Sequence, residues 1–248
     1  MADMPRFFVT KEQIEEKLIR ITDADAHHIA RSLRMAEGDA LTVCDGEGGE
    51  YKCALTRIRD EECIAEIVER IESASESPIE ITLCMAYPKG DKLETVIQKA
   101  VELGASRIIP FESSRCIKRP KAEKAEKQTA RLARIAEEAA KQCGRAKIPE
   151  VTRPMSFKEM LDFASGTSLS LICYENEDGR TIKSELSARE MPESISVIVG
   201  SEGGFSPDEV ATALDAGCVS VSLGNRILRC ETAPDYALSA ISYRYELT

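Results

Sequence analysis

The sequence predicts an α/β protein whose mostly parallel sheet follows a small β-rich domain. After Pro78, short apolar runs alternate with amphipathic segments, a pattern typical of parallel strands covered by helices on both faces. Before Glu72, short strands are joined by tight glycine turns, which favours a small barrel. The serine-rich stretch between these two residues is typical of a linker. We therefore expect two domains, residues 1–72 and 76–248.

The β-rich part contains the signals of four strands, a hairpin and a short helix. Strands are expected at Phe7 to Val9, Leu41 to Cys44, Tyr51 to Ile58 and Ile64 to Val68. The glycine-rich stretch 45–49 permits the positive φ angles that a tight hairpin needs. Asp23 or Asp25 is expected to cap a helix that continues through His28 and Arg34.

The α/β part is predicted as five strands and five helices. Strands are expected at Ile81 to Tyr87, Arg107 to Phe111, Leu169 to Tyr174, Ile195 to Val199 and Val219 to Leu223. Helices are expected at Lys92 to Leu103, Glu123 to Cys143, Phe157 to Phe163, Asp208 to Ala216 and Glu231 to Glu246. Gly104 ends the first of these helices. Ser206 and Glu209 form a capping box for the fourth, with Pro207 between them.

A glycine-rich loop, Gly200-Ser-Glu-Gly-Gly204, joins the fourth of these strands to the helix after Ser206. Glycines at the carboxyl end of a parallel strand let a ligand approach the backbone, although the same glycines fit a plain tight turn equally well. The loop lacks both G-x-G-x-x-G and the Lys-Ser/Thr of a Walker loop. A nucleotide-like ligand without a phosphate group to hold therefore fits it better than a phosphate does.

A second loop, between Ser222 and Thr232, repeats this geometry one strand later along the chain. We expect the two loops to lie side by side on neighbouring strands and to form one pocket from backbone amides and carbonyls. Their central stretches are residues 199–204 and 223–228.

Composition limits the class of protein. The 248 residues are 43% hydrophobic, and neither a membrane-spanning run nor a secretory signal is found. The nine cysteines contain no C-x-x-C pair, which indicates reduced thiols and a cytoplasmic location. His27 and His28 are the only histidines and are adjacent, so no metal site is expected.

One basic block lies within an acidic chain of net charge −10. Residues 115–153 contain 12 Lys and Arg against 5 Asp and Glu, which is the charge pattern of a local phosphate-binding surface. Polar residues recur at helical spacing along the long helix of this block and form one face. They are Arg131, Arg134, Glu138, Gln142 and Arg145. A solvated face is the alternative for this stripe. The RNA-binding candidates in the block are Arg115, Lys118, Arg119, Arg131, Arg134, Glu138, Gln142 and Arg145.

Several motifs in one order carry a family resemblance. They are Val199-Gly-Ser-Glu-Gly-Gly-Phe-Ser206, Ser222-Leu-Gly-Asn-Arg-Ile-Leu-Arg229 with Glu231-Thr-Ala233, Lys99-Ala-Val-Glu-Leu-Gly104 and Glu138-Ala-Ala-Lys-Gln-Cys-Gly-Arg145. Arg6-Phe-Phe-Val9, Leu33-Arg34, Gly38-Asp39 and Asp45-Gly46 also match. Together they resemble the ribosomal small-subunit methyltransferase E family of the SPOUT superfamily.

The resemblance implies a PUA-like β-barrel followed by a knotted α/β domain that binds S-adenosylmethionine, forms a homodimer and methylates N3 of a uridine in 16S rRNA near the decoding region. It implies that the barrel also binds RNA, through Arg6 and Arg34. Ser201, Cys230 and Pro234 depart from the family pattern, while the loop glycines are retained. The expected cofactor-binding residues are Tyr174, Val199, Gly200, Glu202, Gly203, Leu223, Gly224, Ile227 and Leu228.

Methylation at N3 requires loss of a weakly acidic proton. Glu202 could accept this proton, or Arg226 or Arg229 could stabilise the resulting anion, and the sequence leaves this choice open. Glu202 could also simply be an anion favoured by the adjacent helix N-terminus. A 2′-O-ribose methyltransferase of the same superfamily and a non-catalytic RNA-binding protein are the alternative functions.

The last helix carries an apolar stripe at helical spacing. Its members are Ala233, Tyr236, Ala237, Ala240, Ile241 and Arg244. Small residues along such a stripe allow close helix packing, so we expect the dimer to use this face. The alternative is that the stripe packs on its own sheet.

Overall fold

The computed structural model of the chain describes residues 4–117 and 122–247. The chain forms two compact units. The first contains Met1–Glu76 and Ala140–Ile148, and the second contains Ser77–Ala139 and Pro149–Thr248. The segment 140–148 thus belongs to the first unit, whereas the sequence prediction placed it in the second domain.

The first unit is built on a six-stranded sheet. Its strands are β1 (Arg6–Phe8), β2 (Ile14–Glu15), β3 (Leu18–Thr22), β4 (Ala40–Cys44), β5 (Gly49–Ile58) and β6 (Glu62–Glu72). Their order is β1-β4-β5-β6-β3-β2, and only the β1–β4 pair among them is parallel. Phe7, Ile21, Leu41 and Leu55 lie in its apolar core. The β-rich prediction is confirmed, although β2 and β3 were missed.

The helical segment of this unit is shorter than predicted. Helix α1 (Asp23–His27) is followed directly by a π-helical turn, His28–Ser32. Neither predicted aspartate is the N-cap, because Thr22 occupies that position and makes no capping bond with its side chain. Arg34 lies beyond the turn in a left-handed conformation with φ +52°.

The second unit contains a seven-stranded parallel sheet. Its strands are β7 (Glu80–Ala86), β8 (Arg107–Glu112), β9 (Glu150–Val151), β10 (Met155–Ser156), β11 (Leu169–Cys173), β12 (Ser194–Val199) and β13 (Val219–Val221). The order is β10-β8-β7-β12-β11-β13, with β9 also beside β8. The predicted parallel sheet is confirmed. The expectation that the two glycine loops follow neighbouring strands is wrong, because β11 pairs with both β12 and β13 and separates them.

Six helices accompany this sheet in the described part of the chain. They are α2 (Lys92–Glu102), α3 (Ala122–Cys143), α4 (Phe157–Ala164), α5 (Ile182–Ser187), α6 (Pro207–Asp215) and α7 (Thr232–Tyr245). Five were predicted, and α5, with only six residues, was missed. Gly104 follows α2 with φ +88°, as expected of a residue that ends a helix. None of the described helices has the length and apolarity needed to cross a membrane.

Helix α7 packs on α2, α5 and β12 through an inner face that differs from the predicted stripe. Its buried residues are Pro234, Ala237, Leu238, Ile241 and Tyr245. The Tyr245 hydroxyl donates to the backbone oxygen of Leu186 at 3.2 Å. Ala237 and Ile241 of the predicted stripe therefore pack in the chain's own core. Tyr236 and Tyr243 remain 44% and 76% exposed.

Candidate active site

The candidate site lies at the carboxyl edge of the parallel sheet. Because β7, β8, β11, β12 and β13 run in one direction, the segments that follow them emerge at the same edge. The 200–204 loop follows β12, near the middle of the sheet, and the 222–229 loop follows β13, at one end. Val199, the last residue of β12, is buried.

The glycines of the 200–204 loop permit close contact between backbone segments. The Gly204 N–H donates to the Ser201 oxygen at 2.9 Å. A Cβ on Gly200 would lie 3.0 Å from both the carbonyl carbon and the Cα of Gly204. Gly204 has φ +61°, and a Cβ there would lie 2.6 Å from Oε1 of Glu175. A side chain at Gly200 would therefore press on the loop backbone, and one at Gly204 would be strained by its positive φ and would displace the Glu175 side chain.

The Glu202 carboxylate is held by the segment that follows β7. The backbone N–H of Lys89 lies 3.0 and 3.2 Å from its two oxygens, and the Lys92 ammonium lies 3.1 Å from Oε1. Burial raises the pKa of Glu202, but hydrogen bonds from its own backbone, Lys89 and Lys92 outweigh that effect, so the net pKa is lowered. A carboxylate held as an anion by these donors is a weak proton acceptor.

Lys92 also contacts the segment that precedes α7. Its nitrogen lies 3.2 Å from Glu231 Oε2 and 3.8 Å from the Cys230 sulfur. The Cys230 thiol donates to Glu231 at 3.2 Å. Burial raises the pKa of Cys230 to about 12, so this thiol stays neutral near pH 7.

The 222–229 loop is anchored at its start and exposed at its tip. The Ser222 N–H donates to Arg180 O at 2.8 Å. Gly224 has φ +109°, and a Cβ there would meet no atom within 4 Å. Ile227 is 90% exposed, while Leu223 and Leu228 are half-buried. The loop thus presents backbone and apolar side chains around open space.

Arg226 and Arg229 are the cations of this loop. Both are exposed, and neither guanidinium donates a hydrogen bond to any residue that the structure describes. They are therefore available to an anion arriving at the edge of the sheet.

Tyr174 lies just beyond the end of β11, the strand between β12 and β13. It directly follows β11, and its N–H donates to Val221 O, the last residue of β13, at 3.0 Å. Its hydroxyl accepts a hydrogen bond from Asn176 at 3.2 Å. The predicted cofactor residues therefore come from three adjacent strand ends rather than from two.

The chemistry of this edge fits S-adenosylmethionine, an adenosine joined to an amino acid without phosphate groups. Two buried hydroxyls, those of Tyr87 and Ser201, have no hydrogen-bond partner among the described residues. These residues follow the paired strands β7 and β12, so their hydroxyls could form hydrogen bonds with a ligand there. Half-buried Leu223 and Leu228 supply apolar surface for a base. The described residues contain no group of three or more His, Cys, Asp or Glu that could hold a metal ion.

The described RNA-binding candidates at Arg115 and along the exposed face of α3 lie on the surface. Arg115 donates to the Gly203 oxygen at 2.9 Å, so its guanidinium contacts the 200–204 loop itself. Arg131 pairs with Glu94 at 2.9 Å, and Arg134 is exposed beside it. Glu138 and Gln142 are exposed further along α3. Lys118 and Arg119 fall outside the described residues.

Arg6 and Arg145 have structural roles in the first unit. Only 3% of Arg145 is exposed, and its guanidinium pairs with Glu76 at 2.8 Å. Arg6 pairs with Glu50 at 2.8 Å, also largely buried. These placements argue against both arginines as phosphate ligands in this conformation. Arg34 is exposed.

Sequence reasoning missed four residues that shape the site: Lys89, Lys92, Glu175 and Glu231. Lys89 and Lys92 follow a predicted parallel strand, and the rule that ligand sites form at such strand ends could have pointed to them. Glu231 lies within a quoted motif, but its partner Lys92 is far away in the sequence. Nothing in the sequence pairs these two residues.

Comparison with known families gives the class of the protein. A model of the RNA methyltransferase domain matches residues 75–242, and a model of the RNA methyltransferase PUA domain matches residues 21–68. The parallel sheet with its glycine loops and the small β unit thus define an RNA methyltransferase.

Individual relatives narrow the class. Ribosomal RNA small subunit methyltransferase E of Bacillus subtilis (strain 168) is 39% identical over 98% of both chains, and its counterpart from Synechocystis sp. is 34% identical over 96% of this chain and 77% of the relative. The crystal structure of the Neisseria gonorrhoeae enzyme of the same name, bound to S-adenosylmethionine, has 33% identity and a TM-score of 0.87, covering 99% of this chain and 100% of that one. The chain belongs to the ribosomal RNA small subunit methyltransferase E family. The predicted family and fold class are confirmed, while the knotted path of the chain stays a prediction.

Proposed function

We propose that this protein methylates N3 of one uridine in 16S rRNA of the small ribosomal subunit, near the decoding region. Its family membership makes it an S-adenosylmethionine-dependent rRNA methyltransferase, as the sequence predicted. The observation that carries the N3 proposal is the pair of unpartnered cations, Arg226 and Arg229, on the loop beside the glycine-rich edge.

The cofactor is proposed to lie across three strand ends. Gly200, Gly203 and Gly224 would let it approach the backbone, and Tyr174 and Leu228 would contact its apolar parts. When bound, S-adenosylmethionine supplies a methyl group that is already activated for transfer. The remaining task of the protein is to align the acceptor nitrogen and to exclude water.

The uridine must lose its N3 proton before the nitrogen can attack. Glu202 is poorly suited to accept it, because its oxygens already accept from Lys89 and Lys92 and its pKa is lowered. Arg226 or Arg229 is better suited to stabilise the negative charge that forms on the uracil ring, because neither guanidinium donates a hydrogen bond to a described residue. A preformed cation at the site of developing charge lowers the barrier without reorganisation.

RNA is proposed to bind along the exposed face of α3. Arg131 and Arg134 lie one turn apart there and are both exposed. Such cations position an RNA backbone through its phosphates, whereas selection of the target base belongs to the loops. Arg115 would link the two functions, because it contacts the cofactor loop through Gly203.

The active form is proposed to be a homodimer that uses the outer face of α7. Tyr236, Ala240 and Tyr243 recur at helical spacing on this face, and the two tyrosines are large, exposed side chains. Aromatic residues of this kind are enriched at protein interfaces. Sedimentation of the purified chain tests the dimer directly.

The cytoplasm is the proposed location. All nine cysteines are free thiols, as expected of a chain in a reducing compartment. The function itself is tested by incubating small ribosomal subunits from cells that lack this protein with the enzyme and methyl-labelled S-adenosylmethionine, and then mapping the label in the rRNA.

A further inference from the structure

The two proposed cofactor loops follow strands separated by β11, yet one side chain contacts the flanks of both. The Lys92 nitrogen lies 3.1 Å from Glu202 in the 200–204 loop. The same nitrogen lies 3.2 Å from Glu231, which is the N-cap residue of α7 and ends the segment that begins at Ser222. Both loops emerge at one edge of the sheet, and Lys92 contacts the first loop and the end of the segment that contains the second.

Lys92 extends from a well-packed part of the fold. It is the first residue of α2, whose buried face contains Leu93, Val96 and Ile97. Lys89, three residues earlier, also donates its backbone N–H to Glu202. The backbone from which the Lys92 side chain extends is therefore held by a packed helix.

The Lys92 ammonium lies between two carboxylates, those of Glu202 and Glu231. The two carboxylate oxygens lie at most 6.3 Å apart, because each is within 3.2 Å of the same nitrogen. Two carboxylates at this separation repel one another unless a cation lies between them. Removing Lys92 would drive the loop and the α7 segment apart, which is more than the loss of one surface ion pair.

We propose that Lys92 is a positioning residue for the methyl transfer, one that holds the 200–204 loop and the 222–231 segment at the separation the cofactor requires. This inference rests on the proposed function, in which these segments bind S-adenosylmethionine. A prearranged pair of loops binds its ligand more tightly because less ordering is required on binding. Lys92 itself needs no contact with the cofactor.

The helix supplies a matched control in Lys99. It lies two turns further along α2, and its nitrogen pairs with Asp235 of α7 at 2.9 Å. Lys99→Met therefore removes an α2–α7 ion pair without touching either loop. Lys92→Met removes the central cation with a side chain only one atom shorter, and Lys92→Arg retains the positive charge.

The experiment measures S-adenosylmethionine affinity by calorimetry and the melting temperature of the ligand-free protein. We expect Lys92→Met to weaken binding about tenfold or more, and Lys92→Arg and Lys99→Met to stay within about threefold of wild type. The ligand-free melting temperatures of the two Met variants should be similar. Equal affinity of Lys92→Met and Lys99→Met would overturn the inference. A wild-type protein that binds no S-adenosylmethionine would overturn the proposed function instead.

A second variant keeps the inference testable should Lys92→Met fail to fold. Glu231→Gln leaves the Lys92–Glu202 pair in place and should weaken binding about threefold or more. Where Lys92→Met does fold, the double variant should lose less affinity than the two single losses together, since it also lacks one of the repelling carboxylates. Unchanged affinity in Glu231→Gln, or strictly additive losses, would contradict a shared role.

Discussion

The Glu209 carboxylate accepts a hydrogen bond from the backbone N–H of Ser114 at 2.6 Å, and so ties the start of α6 to the segment that follows β8. It also accepts from the Ser206 N–H at 2.9 Å within the predicted capping box. A local helix cap thus doubles as a long-range contact that supports the 200–204 loop. Glu209 is buried.

Replacing Glu209 by Gln should lower the free energy of unfolding by about 2 kcal/mol at pH 7, because the amide has one acceptor oxygen where Glu209 uses two, and the hydrogen bond that remains is no longer to a charged group. Glu159→Gln is the control, since it breaks an equivalent capping box with Ser156 on the exposed surface of α4. Chemical denaturation should show a clearly smaller loss for the control. Equal losses would mean that the Ser114 contact adds no stability.

The Glu209 contact also predicts a pH dependence. Burial raises the pKa of Glu209, but hydrogen bonds from Ser114 and Ser206 outweigh it, so the pKa in the folded protein is lowered. Its stabilisation is therefore complete above the ordinary glutamate pKa of about 4.3 and is lost as the pH falls through the lower folded value. Glu209→Gln should show a flatter decline in stability below pH 4.3 than wild type, because it lacks the group whose pKa is lowered on folding.

Gly200→Ala should abolish cofactor binding because its Cβ would displace the 200–204 loop. Its Cβ would lie 3.0 Å from the Gly204 backbone, which cannot move aside as a flexible side chain could. Gly179→Ala is the matched control, because a Cβ there meets only Glu177 Oε1 at an ordinary 3.6 Å. Calorimetry should find binding lost in the first variant and kept in the second. Normal binding by Gly200→Ala would remove the 200–204 loop from the cofactor site.

Arg226→Ala and Arg229→Ala test which cation stabilises the uracil anion. The variant that lacks the stabilising arginine should methylate about 100-fold more slowly than wild type. Its rate should rise only at higher pH, where the N3 proton of uridine is lost without stabilisation by a nearby cation. Cofactor affinity should change little. Arg189→Ala removes an arginine paired with Glu185 and should match wild type. Unshifted pH profiles in both variants would exclude both arginines.

The exposed arginines of α3 should bind RNA, and the buried one should not. Arg131→Ala with Arg134→Ala should weaken RNA binding and reduce the slope of log affinity against log salt by about 1.5, as expected for two lost phosphate contacts. Arg145→Ala should instead destabilise the fold by about 3 kcal/mol, since it leaves Glu76 unpaired in a largely buried site. A salt slope that changes only with Arg145→Ala would reverse this assignment.

The sequence predicted what depends on local pattern. Long apolar runs and the cap at Ser206 marked most strands and helices of the second unit correctly. The two-residue strands β2, β9 and β10 leave no periodic signal, so they were missed. Strand order was also hidden, because nothing local indicates that β11 pairs with β13.

Arg145 shows why periodicity failed within the site. Helical spacing aligned it with Arg131 and Arg134, but α3 ends at Cys143, and Gly144 turns the chain with φ +80°. Arg145 therefore leaves the helical face and is buried against Glu76. The Lys92 contacts were invisible for another reason, since they join residues more than a hundred positions apart.

The central claim is methylation of N3 of a single uridine, and mass mapping of rRNA tests it most directly. Small ribosomal subunits from cells lacking this protein are incubated with it and S-adenosylmethionine, digested and compared with untreated subunits. We predict one added methyl group, on the base of one uridine in 16S rRNA and at N3. A methyl group on a ribose, or no added methyl group in the presence of bound cofactor, would contradict the account.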